Sequence, residues 1–344
     1  MANLRPQNTF VSVPHTKESA YGTAIASGSI DKKYDLVEPS LAEVVKTTVS
    51  DKEYIKGHEF MADTVNTGAL TLYADTAQDA TIPLVFPASY ELAALLWIMA
   101  LGTNTTTGVG PYTHTITAQD GTSSALDQLP SISLVQGILG DTATYYKYKG
   151  VVMNELRMAV DGRGRVNFNA TMFSDGSATA DASFTVPARS TQLPIFGKDA
   201  TFKIEDAGTS PATQTTLLRG FEIGWNNNIS REDNRGQIAE GTSLTSARFG
   251  TRSISVTVRV QGNKGSTRWT DFVNNTQKDI ELKLTSGTSS LTFNFNRCLI
   301  TNVRDSFDDI RNVTELTIEP LTLTATGVSP VEVVAINGVS AFLA

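Results

Sequence analysis

Apolar and polar residues alternate along many short stretches of this chain. Residues 253–260 read SISVTVRV, so Ser, Thr and Arg fall on one side of an extended backbone while Ile and Val fall on the other. Residues 69–75 (ALTLYAD) alternate in the same way, with Leu70 and Leu72 on the apolar side. A period of two residues is typical of a β-strand with one buried and one solvated face. The pattern therefore predicts a mainly β protein.

Two segments have the character of a helix instead. The first follows Pro87 and Ser89, which favour a helix start, and it ends at Gly102. Residues 92–99 are apolar on all sides, so we predict a helix buried between a sheet and a neighbouring subunit. The second segment, residues 266–274, predicts a short amphipathic helix. Its apolar face consists of Trp269, Phe272 and Val273.

The second half of the chain repeats the pattern of the first half. Residues 131–173 and 279–323 share one order of strands, turns and polar breaks, and a helix precedes each of them. The aligned positions are Ile132 with Ile280, Tyr148 with Phe295, Val152 with Leu299, Arg157 with Arg304 and Asp161 with Asp308. We predict a tandem copy of one β-domain, with an insertion after the helix of the first copy. A chance likeness between all-β domains is the alternative.

The predicted organisation has four parts. Residues 1–35 are polar and aperiodic, and we interpret them as an extended arm that becomes ordered on a partner surface. The two β-domains span residues 36–188 and 189–330, and residues 331–344 form a C-terminal tail. The first domain opens with a predicted hairpin over residues 36–59, which has a charged tip.

Composition limits the classes of function. The chain has 344 residues and a formal net charge of −7, so it is a poor candidate for general nucleic-acid binding, which needs clustered Lys and Arg. Its single cysteine, Cys298, excludes an intramolecular disulfide, and its apolar neighbours predict a buried thiol. The N-terminus has no apolar signal core, and the apolar run at 92–101 is too short to span a bilayer. We therefore expect folding in a cytoplasm without membrane insertion.

No arrangement of residues points to catalysis or to metal binding. The three histidines, His15, His58 and His114, lack a second His or Cys at ligand spacing. The acidic stretches 231–236 and 307–311 lack the alternating Asp or Asn and the terminal Glu of a calcium loop. We expect no cofactor, no metal and no enzymatic activity. A β-rich glycosidase is disfavoured because nothing indicates a substrate cleft with an acid–base pair.

Three stretches of the first half resemble the major tail tube proteins of long-tailed bacteriophages. They are PYTHTIT at 111–117, LPSISLVQG at 129–137 and YKYKGVVMNELRMAV at 146–160, in the order found in that family. The apolar helix that precedes them is similar to the family's single helix. The resemblance covers residues 36–188 directly, and it covers the second half through the likeness of that half to the first.

The resemblance implies a structural protein of the virion that is assembled in the host cytoplasm. Its implied fold is mainly β, with tandem tail tube β-sandwich domains that each carry one flanking α-helix and together complete a closed β-barrel ring. Members with one tube domain form hexameric rings, and members with two domains can build the ring from three chains. A trimer with pseudo-sixfold symmetry is favoured here, and a hexamer is the alternative.

The resemblance also implies partners. The rings stack into a hollow tube through which DNA passes without specific binding, and no membrane is involved. Tape measure, tail terminator and baseplate or tip proteins are the other implied partners. A carbohydrate-binding β-sandwich is the alternative function. It needs a groove with exposed aromatic residues, whereas Trp97, Trp225 and Trp269 are predicted to lie in the core.

Two sets of residues are candidates for the implied assembly. The polar faces of the alternating strands are expected to line the lumen, with an outward solvent face as the alternative. These candidates are Thr71, Tyr73, Asp75, Ser253, Ser255, Thr257 and Arg259. Contacts between rings are expected from the arm, from the tips at 50–56 and 226–241, and from the C-terminal tail. The candidate contact residues are Phe10, Val11, Asp51, Lys52, Glu53, Arg231, Glu232 and Asp233.

Overall fold

A computed structural model of the chain describes most of its residues. The described ranges are 9–38, 40–50, 73–119, 128–138, 144–189, 193–209, 218–231, 244, 246, 248–261, 267–308, 311–321 and 329–343. Within these ranges the protein is mainly β, as predicted, with large antiparallel sheets and two α-helices. The strands alternate between buried and partly exposed positions, which is the period of two that the sequence contains.

The elements of the first half are β1 (Thr9–Val13), β2 (Lys32–Asp35), β3 (Glu43–Ser50), β4 (Tyr73–Pro87), α1 (Tyr90–Leu101), β5 (Gly102–Thr107), β6 (Tyr112–Ala118), β7 (Ile132–Ile138), β8 (Thr144–Asp161), β9 (Asn167–Ser174) and β10 (Ala178–Ala180). Those of the second half are β11 (Ala200–Asp206), β12 (Leu218–Asn226), β13 (Ser253–Gln261), α2 (Thr267–Val273), β14 (Lys278–Ser286), β15 (Ser289–Asp308), β16 (Arg311–Pro320) and β17 (Val331–Asn337).

Eight strands form one continuous antiparallel sheet that includes both halves. Its order is β3–β4–β9–β8–β12–β13–β16–β15, and we call it the eight-stranded sheet. The first four strands belong to the first half and the last four to the second half. Among the described residues the sheet is open, with β3 at one end and β15 at the other. The closed barrel of the predicted fold is therefore not a property of one chain.

The long strands β8 and β15 each take part in two sheets. The N-terminal part of β8 joins β7 and β10, while its C-terminal part lies between β9 and β12 in the eight-stranded sheet. The N-terminal part of β15 likewise lies between β14 and β17, and its C-terminal part pairs with β16. Two smaller sheets result, β2–β1–β7–β8–β10 and β11–β14–β15–β17–β6–β5.

The two long strands are irregular at matching positions. The register of β8 against β9 shifts next to Asn154, and that of β15 against β16 shifts next to Thr301. Gly150 of β8 and Arg297 of β15 both have positive φ, 60° and 50°. These positions follow the predicted alignment of Val152 with Leu299. Further upstream the predicted alignment of Ile132 with Ile280 is wrong. Leu134 pairs with Tyr148, and Ile280 pairs with Phe295, which is the residue aligned with Tyr148. Ile280 therefore corresponds to Leu134.

Helix α1 begins and ends where the sequence predicts. The Ser89 hydroxyl accepts a hydrogen bond from the backbone N–H of Leu92, and Gly102 ends the helix with a φ of 99° that favours glycine. All twelve helical residues are buried. The predicted neighbour was another subunit, but the helix is covered by strands of its own chain, including β15 and β17 of the second half. Trp97 of α1 packs edge-to-face on Phe293 of β15, with ring centroids 5.2 Å apart.

The described C-terminal residues form part of the core, whereas the sequence predicts a C-terminal tail that contacts a neighbouring ring. Strand β17 lies between β15 of the second half and β6 of the first half. The β5–β6 hairpin follows α1 at the position of the predicted insertion, so the insertion ties the two halves together. Beyond β17, Phe342 and Leu343 are buried as well.

The N-terminal segment is also folded onto its own chain. Strand β1 pairs with β2 and with β7, which contradicts the predicted extended arm for residues 9–35. Behind it, the buried Glu18 carboxylate accepts hydrogen bonds from the backbone N–H of Gly150 and from the hydroxyl of Ser133. A buried carboxylate is stable only with such donors, so this contact fixes the segment against β8.

Candidate assembly surfaces

The eight-stranded sheet has one apolar and one polar face. On β8, Leu156, Met158 and Val160 are buried, while Glu155 and Arg157 point to the opposite side and are exposed. The same alternation runs through β9, β12, β13 and β16. The apolar face packs on the core that contains α1. The polar face is therefore available to water along the described sheet.

The polar face contains four of the residues predicted to line a lumen. Ser253, Ser255, Thr257 and Arg259 lie on one side of β13, and Val256 and Val258 are buried on the other side. Tyr73 and Asp75 lie in β4, but their side chains are outside the described set, and Thr71 lies outside the described residues. The alternation of β13 thus predicted which of its residues are polar and exposed. Which space they face depends on other copies of the chain.

The charges on the polar face are mixed, with a small excess of carboxylates. The acidic residues include Glu43, Glu155, Asp161, Glu222, Glu315 and Glu319, and the basic residues include Arg157, Arg259 and Arg304. A depression on this face is lined by Arg157, Asp161, Asn169, Glu222, Arg259 and Glu315, among others. Arginine and carboxylate neighbours neutralise each other here, so the described part of the polar face forms no basic groove that would grip phosphates.

The junction of β8 with β12 joins the two halves on both faces of the sheet. Seven residue pairs are in register, from Gly220 opposite Asp161 to Asn226 opposite Glu155. On the polar face Arg157 Nη2 lies 2.5 Å from Glu222 Oε2, and the Asn226 amide donates to Glu155 Oε1 at 2.8 Å. The hydrogen bond to Glu222 raises the pKa of Arg157. Both charged groups are partly exposed, so this ion pair adds less than about 1 kcal/mol.

The apolar side of the same junction contributes more to stability. Trp225 and Ile223 of β12 are buried beside Leu156 and Met158 of β8. Each fully buried side chain of this size contributes roughly 1.5–3 kcal/mol relative to an exposed one. The Trp225 indole N–H also donates to the Asn227 side chain at 2.9 Å, so its polar atom is satisfied. At the β8–β12 junction the apolar contact therefore contributes more to stability than the ion pair.

The two outer strands of the eight-stranded sheet have no such partner within the described chain. Strand β3 pairs with β4 on one side, and the C-terminal part of β15 pairs with β16 on one side. Along β3 and its approach, Val37, Leu41 and Val44 are exposed, and Val44 retains 43% of its accessible surface. Exposed apolar edge strands invite pairing with another chain. The sequence did not single out these residues, because periodicity does not tell which strand lies at an edge.

The residues predicted to contact a neighbouring ring fall into three groups. Phe10 and Val11 are buried on β1, so the prediction that they contact another ring is wrong. Arg231 is held by its own chain, since its Nη1 lies 2.6 Å from Asp79 Oδ1 and its guanidinium group stacks on Phe173. The remaining candidates, Asp51, Lys52, Glu53, Glu232 and Asp233, lie outside the described residues.

Trp269 is also not where the sequence placed it. Trp97 and Trp225 are buried as predicted, whereas Trp269 on α2 is 56% exposed. An apolar stripe on a short helix predicts that something covers it, and the described chain covers Phe272 but leaves Trp269 open.

The titratable side chains have structural partners. His114 is buried between the Thr106 hydroxyl and the Val339 carbonyl, both at 2.9 Å, and burial lowers its pKa. Burial also raises the pKa of Cys298 to about 12, so the thiol is protonated at neutral pH. His15 Nε2 lies 2.8 Å from Glu91 Oε1 beside the start of α1. Within the described ranges no group of three or more His, Cys, Asp and Glu residues is placed to hold a metal ion.

Comparison with known proteins identifies a structural class. A family model described as Phage tail tube protein matches residues 62–327, which is most of the chain and includes both halves. A search of the curated proteins finds no match. None of the helices in the described part of the chain is long and apolar enough to cross a bilayer.

Proposed function

The chain belongs to the phage tail tube protein family, and we propose that three copies close a ring whose stacks form a hollow conduit for phage DNA. The observation that carries this proposal is the relation between the open edges of the eight-stranded sheet and its internal β8–β12 junction. Strand β15 has the same place in the second half as β8 has in the first, and its outer edge has no partner among the described residues. Strand β3 has the place in the first half that β12 has in the second, and its outer edge is open in the same way.

The pairing of the neighbouring strands defines this relation. Strand β3 pairs with β4 as β12 pairs with β13, and β15 pairs with β16 as β8 pairs with β9. Applying the β8–β12 register to the open edges puts Glu43 opposite Arg304 of the next copy, and Val44 opposite Val303. Opposite charges then meet on the polar face and two valines meet on the apolar face, and both pairings stabilise neighbouring antiparallel strands.

The number of strands favours a ring of three chains. Each half contributes four strands to the eight-stranded sheet, so three chains supply six similar units and about 24 strands. At ~4.8 Å between strands, such a ring is roughly 40 Å across between opposite backbones. A hexameric ring of these chains would have about twice as many strands and a much wider bore.

The polar face of the eight-stranded sheet is proposed to line the bore. Its residues include the predicted Ser253, Ser255, Thr257 and Arg259. Thr71, Tyr73 and Asp75 stay predictions for the lumen. The apolar face must then point outwards to the core that contains α1, because water cannot fill both sides. A weakly acidic polar wall lets DNA pass without holding its phosphates.

The proposed place of the protein is the tail of the virion, after assembly in the host cytoplasm. Contacts between stacked rings are proposed for the tips at 50–56 and 226–241. Tape measure, tail terminator and baseplate or tip proteins would define the length and the ends of the tube. No enzymatic step and no cofactor is part of this function.

Charge reversal at the open edges tests ring closure. Glu43→Arg puts two guanidinium groups opposite each other, and we expect it to abolish tubes seen by negative-stain electron microscopy. The double variant Glu43→Arg with Arg304→Glu restores opposite charges, and tubes should return. Glu319→Arg is the matched control, because it makes the same change of charge on the polar face but within the sheet interior.

The outcome separates edge pairing from a general effect of charge. Restoration by the double variant supports the predicted register. Tubes of normal length from Glu43→Arg alone would contradict the pairing of β3 with β15, and failure of the Glu319→Arg control would assign the effect to net charge instead.

A further inference from the structure

Two exposed aromatic patches lie on different halves of the chain. On α2, Trp269 and Val273 are 56% and 58% exposed and are separated by one helical turn. On β8, Tyr146 is 39% exposed, and the neighbouring β10 residues Ala178 and Ala180 are exposed as well. Large apolar side chains that share an exposed face indicate a contact with another protein surface.

The chain contains a buried version of the same contact. Helix α1 of the first half packs on β15 and β17 of the second half. At the centre of this contact Trp97 meets Phe293 at 5.2 Å, with an angle of 74° between the rings. Neither side chain is exposed to solvent. In this contact the second half of the chain covers the helix of the first half.

The strand pairing puts Tyr146 in the position of Phe293. Phe293 lies between Leu282 of β14 and Val333 of β17. Tyr146 lies between Gln136 of β7 and Ala180 of β10. Phe293 lies two residues before Phe295, and Tyr146 lies two residues before Tyr148. Phe295 and Tyr148 are in turn each followed, two residues later, by the residue of positive φ in the long strand.

The helices correspond in the same way. Helix α1 follows β4 and packs on β8 of its own half, and α2 follows β13 and packs on β15 of its own half. The two helices differ on the side that faces away from their own half. There α1 is covered by β15 and β17 of the second half, whereas Trp269 and Val273 of α2 are exposed in the described chain. The half that follows the second half in a ring is the first half of the next copy.

We propose that α2 of each chain docks on the Tyr146 face of the next copy, where Trp269 packs against Tyr146. We define the Tyr146 face as Tyr146, Ala178 and Ala180. The inference rests on the proposed ring, and it adds a second contact on the outer side of the β3–β15 edge pair. The small alanine side chains of β10 leave room for the indole ring, in the place where β17 presents valines to α1.

Tryptophan fluorescence tests the docking directly. Trp97 and Trp225 are already buried in the free chain, so a shift of emission to shorter wavelength on assembly reports on Trp269. We expect this shift in the wild-type chain and its absence in Trp269→Phe, which keeps an aromatic ring and still assembles. Thr270→Ala is the control, because it lies about 100° further around the same helix and should leave the shift unchanged.

Removal of the two aromatic side chains tests how much their contact contributes to assembly. Trp269→Ala and Tyr146→Ala should each raise the protein concentration needed for tubes by about tenfold, and the double variant should raise it no further than either single change. Additive losses would overturn a direct contact between the two side chains.

Cross-linking tests which copy provides the face. Chains with Trp269→Cys and chains with Tyr146→Cys are mixed, assembled and treated with a short bifunctional maleimide. We expect covalent dimers from the mixture and none from either variant alone. The natural Cys298 is buried and protonated, so it does not react in folded protein.

The outcomes distinguish this inference from the proposed function. Tubes that form without the wild-type emission shift and without cross-linked dimers would overturn the docking of α2 and leave the ring intact. A wild-type chain that forms no tubes under any assembly condition would overturn the proposed ring, and the docking of α2 with it.

Discussion

The closed junction between β8 and β12 and the open edges of β3 and β15 are two versions of one arrangement. In the closed junction, Leu156 and Trp225 are buried and a polar pair bridges the strands on the other face. At the open edges, the corresponding Val303 is half-buried and Val44 is exposed. In the proposed ring, the chain buries one junction by folding, and a copy of the chain buries the second.

The same contrast holds for the helices. Every residue of α1 is buried by its own chain, whereas α2 presents an indole ring to solvent. The extra β5–β6 hairpin, which pairs with β17, strengthens only the internal junction. An internal junction that forms during folding and a weaker external one would let the protein stay monomeric until assembly starts.

The largest effect is expected at the open edge. Val44→Lys places a charge where the apolar side of the β3–β15 pair has to close, and edge lysines are a common protection against such pairing. We expect complete loss of tubes by electron microscopy, with an unchanged melting temperature of the monomer. Val109→Lys, at the exposed turn between β5 and β6, is the control. Tubes from Val44→Lys would show that β3 does not pair with another chain.

A change in the buried contact of α1 with β15 should act on folding instead. Trp97→Ala removes the ring that packs on Phe293, and it should lower the free energy of unfolding by about 3–5 kcal/mol. Trp269→Ala, the matched change on α2, should lower it by no more than about 0.5 kcal/mol in the free chain. Urea unfolding followed by circular dichroism measures both. Equal losses would mean that the two helices are buried alike.

A smaller, pH-dependent effect is expected where β6 meets β17. His114 Nε2 donates to the Val339 carbonyl, and its Nδ1 lies 2.9 Å from the Thr106 hydroxyl. Burial lowers its pKa, so the unfolded chain binds a proton more readily. Stability should be constant above about pH 6.5 and should fall below it, by up to about 1.4 kcal/mol per pH unit.

The control for this effect is His114→Gln, which keeps hydrogen-bonding groups but cannot be protonated. Its stability should lose the His114 component of the acid-side slope in urea titrations between about pH 6.5 and 5. An unchanged slope would show that another group causes the acid sensitivity.

The elements with a local cause were predictable from the sequence, and those with a distant cause were not. Ser89 and Gly102 fix the ends of α1 through backbone chemistry that involves only adjacent residues. The alternation in 253–260 correctly separated the buried from the polar residues of β13. Both signals depend on residues a few positions apart in the chain.

The role of the two termini depended on strand neighbours that are far apart in sequence. Residues 331–337 alternate like a strand, but nothing local shows that they lie between β15 and β6. Likewise, the polar composition of residues 1–35 gave no sign that β1 pairs with β7. The exposure of Trp269 and of β3 could not be predicted for the same reason. A periodic pattern predicts an apolar face without identifying what covers it.

The central claim is that β15 of one chain and β3 of the next complete a wall that the chain alone leaves open. Cryo-electron microscopy of assembled tubes measures this most directly. We predict rings of three chains, about 24 continuous strands, Arg304 opposite Glu43 across each contact between chains, and the polar side of β13 facing the bore. Rings of six chains, or rings in which β3 faces solvent, would contradict the account.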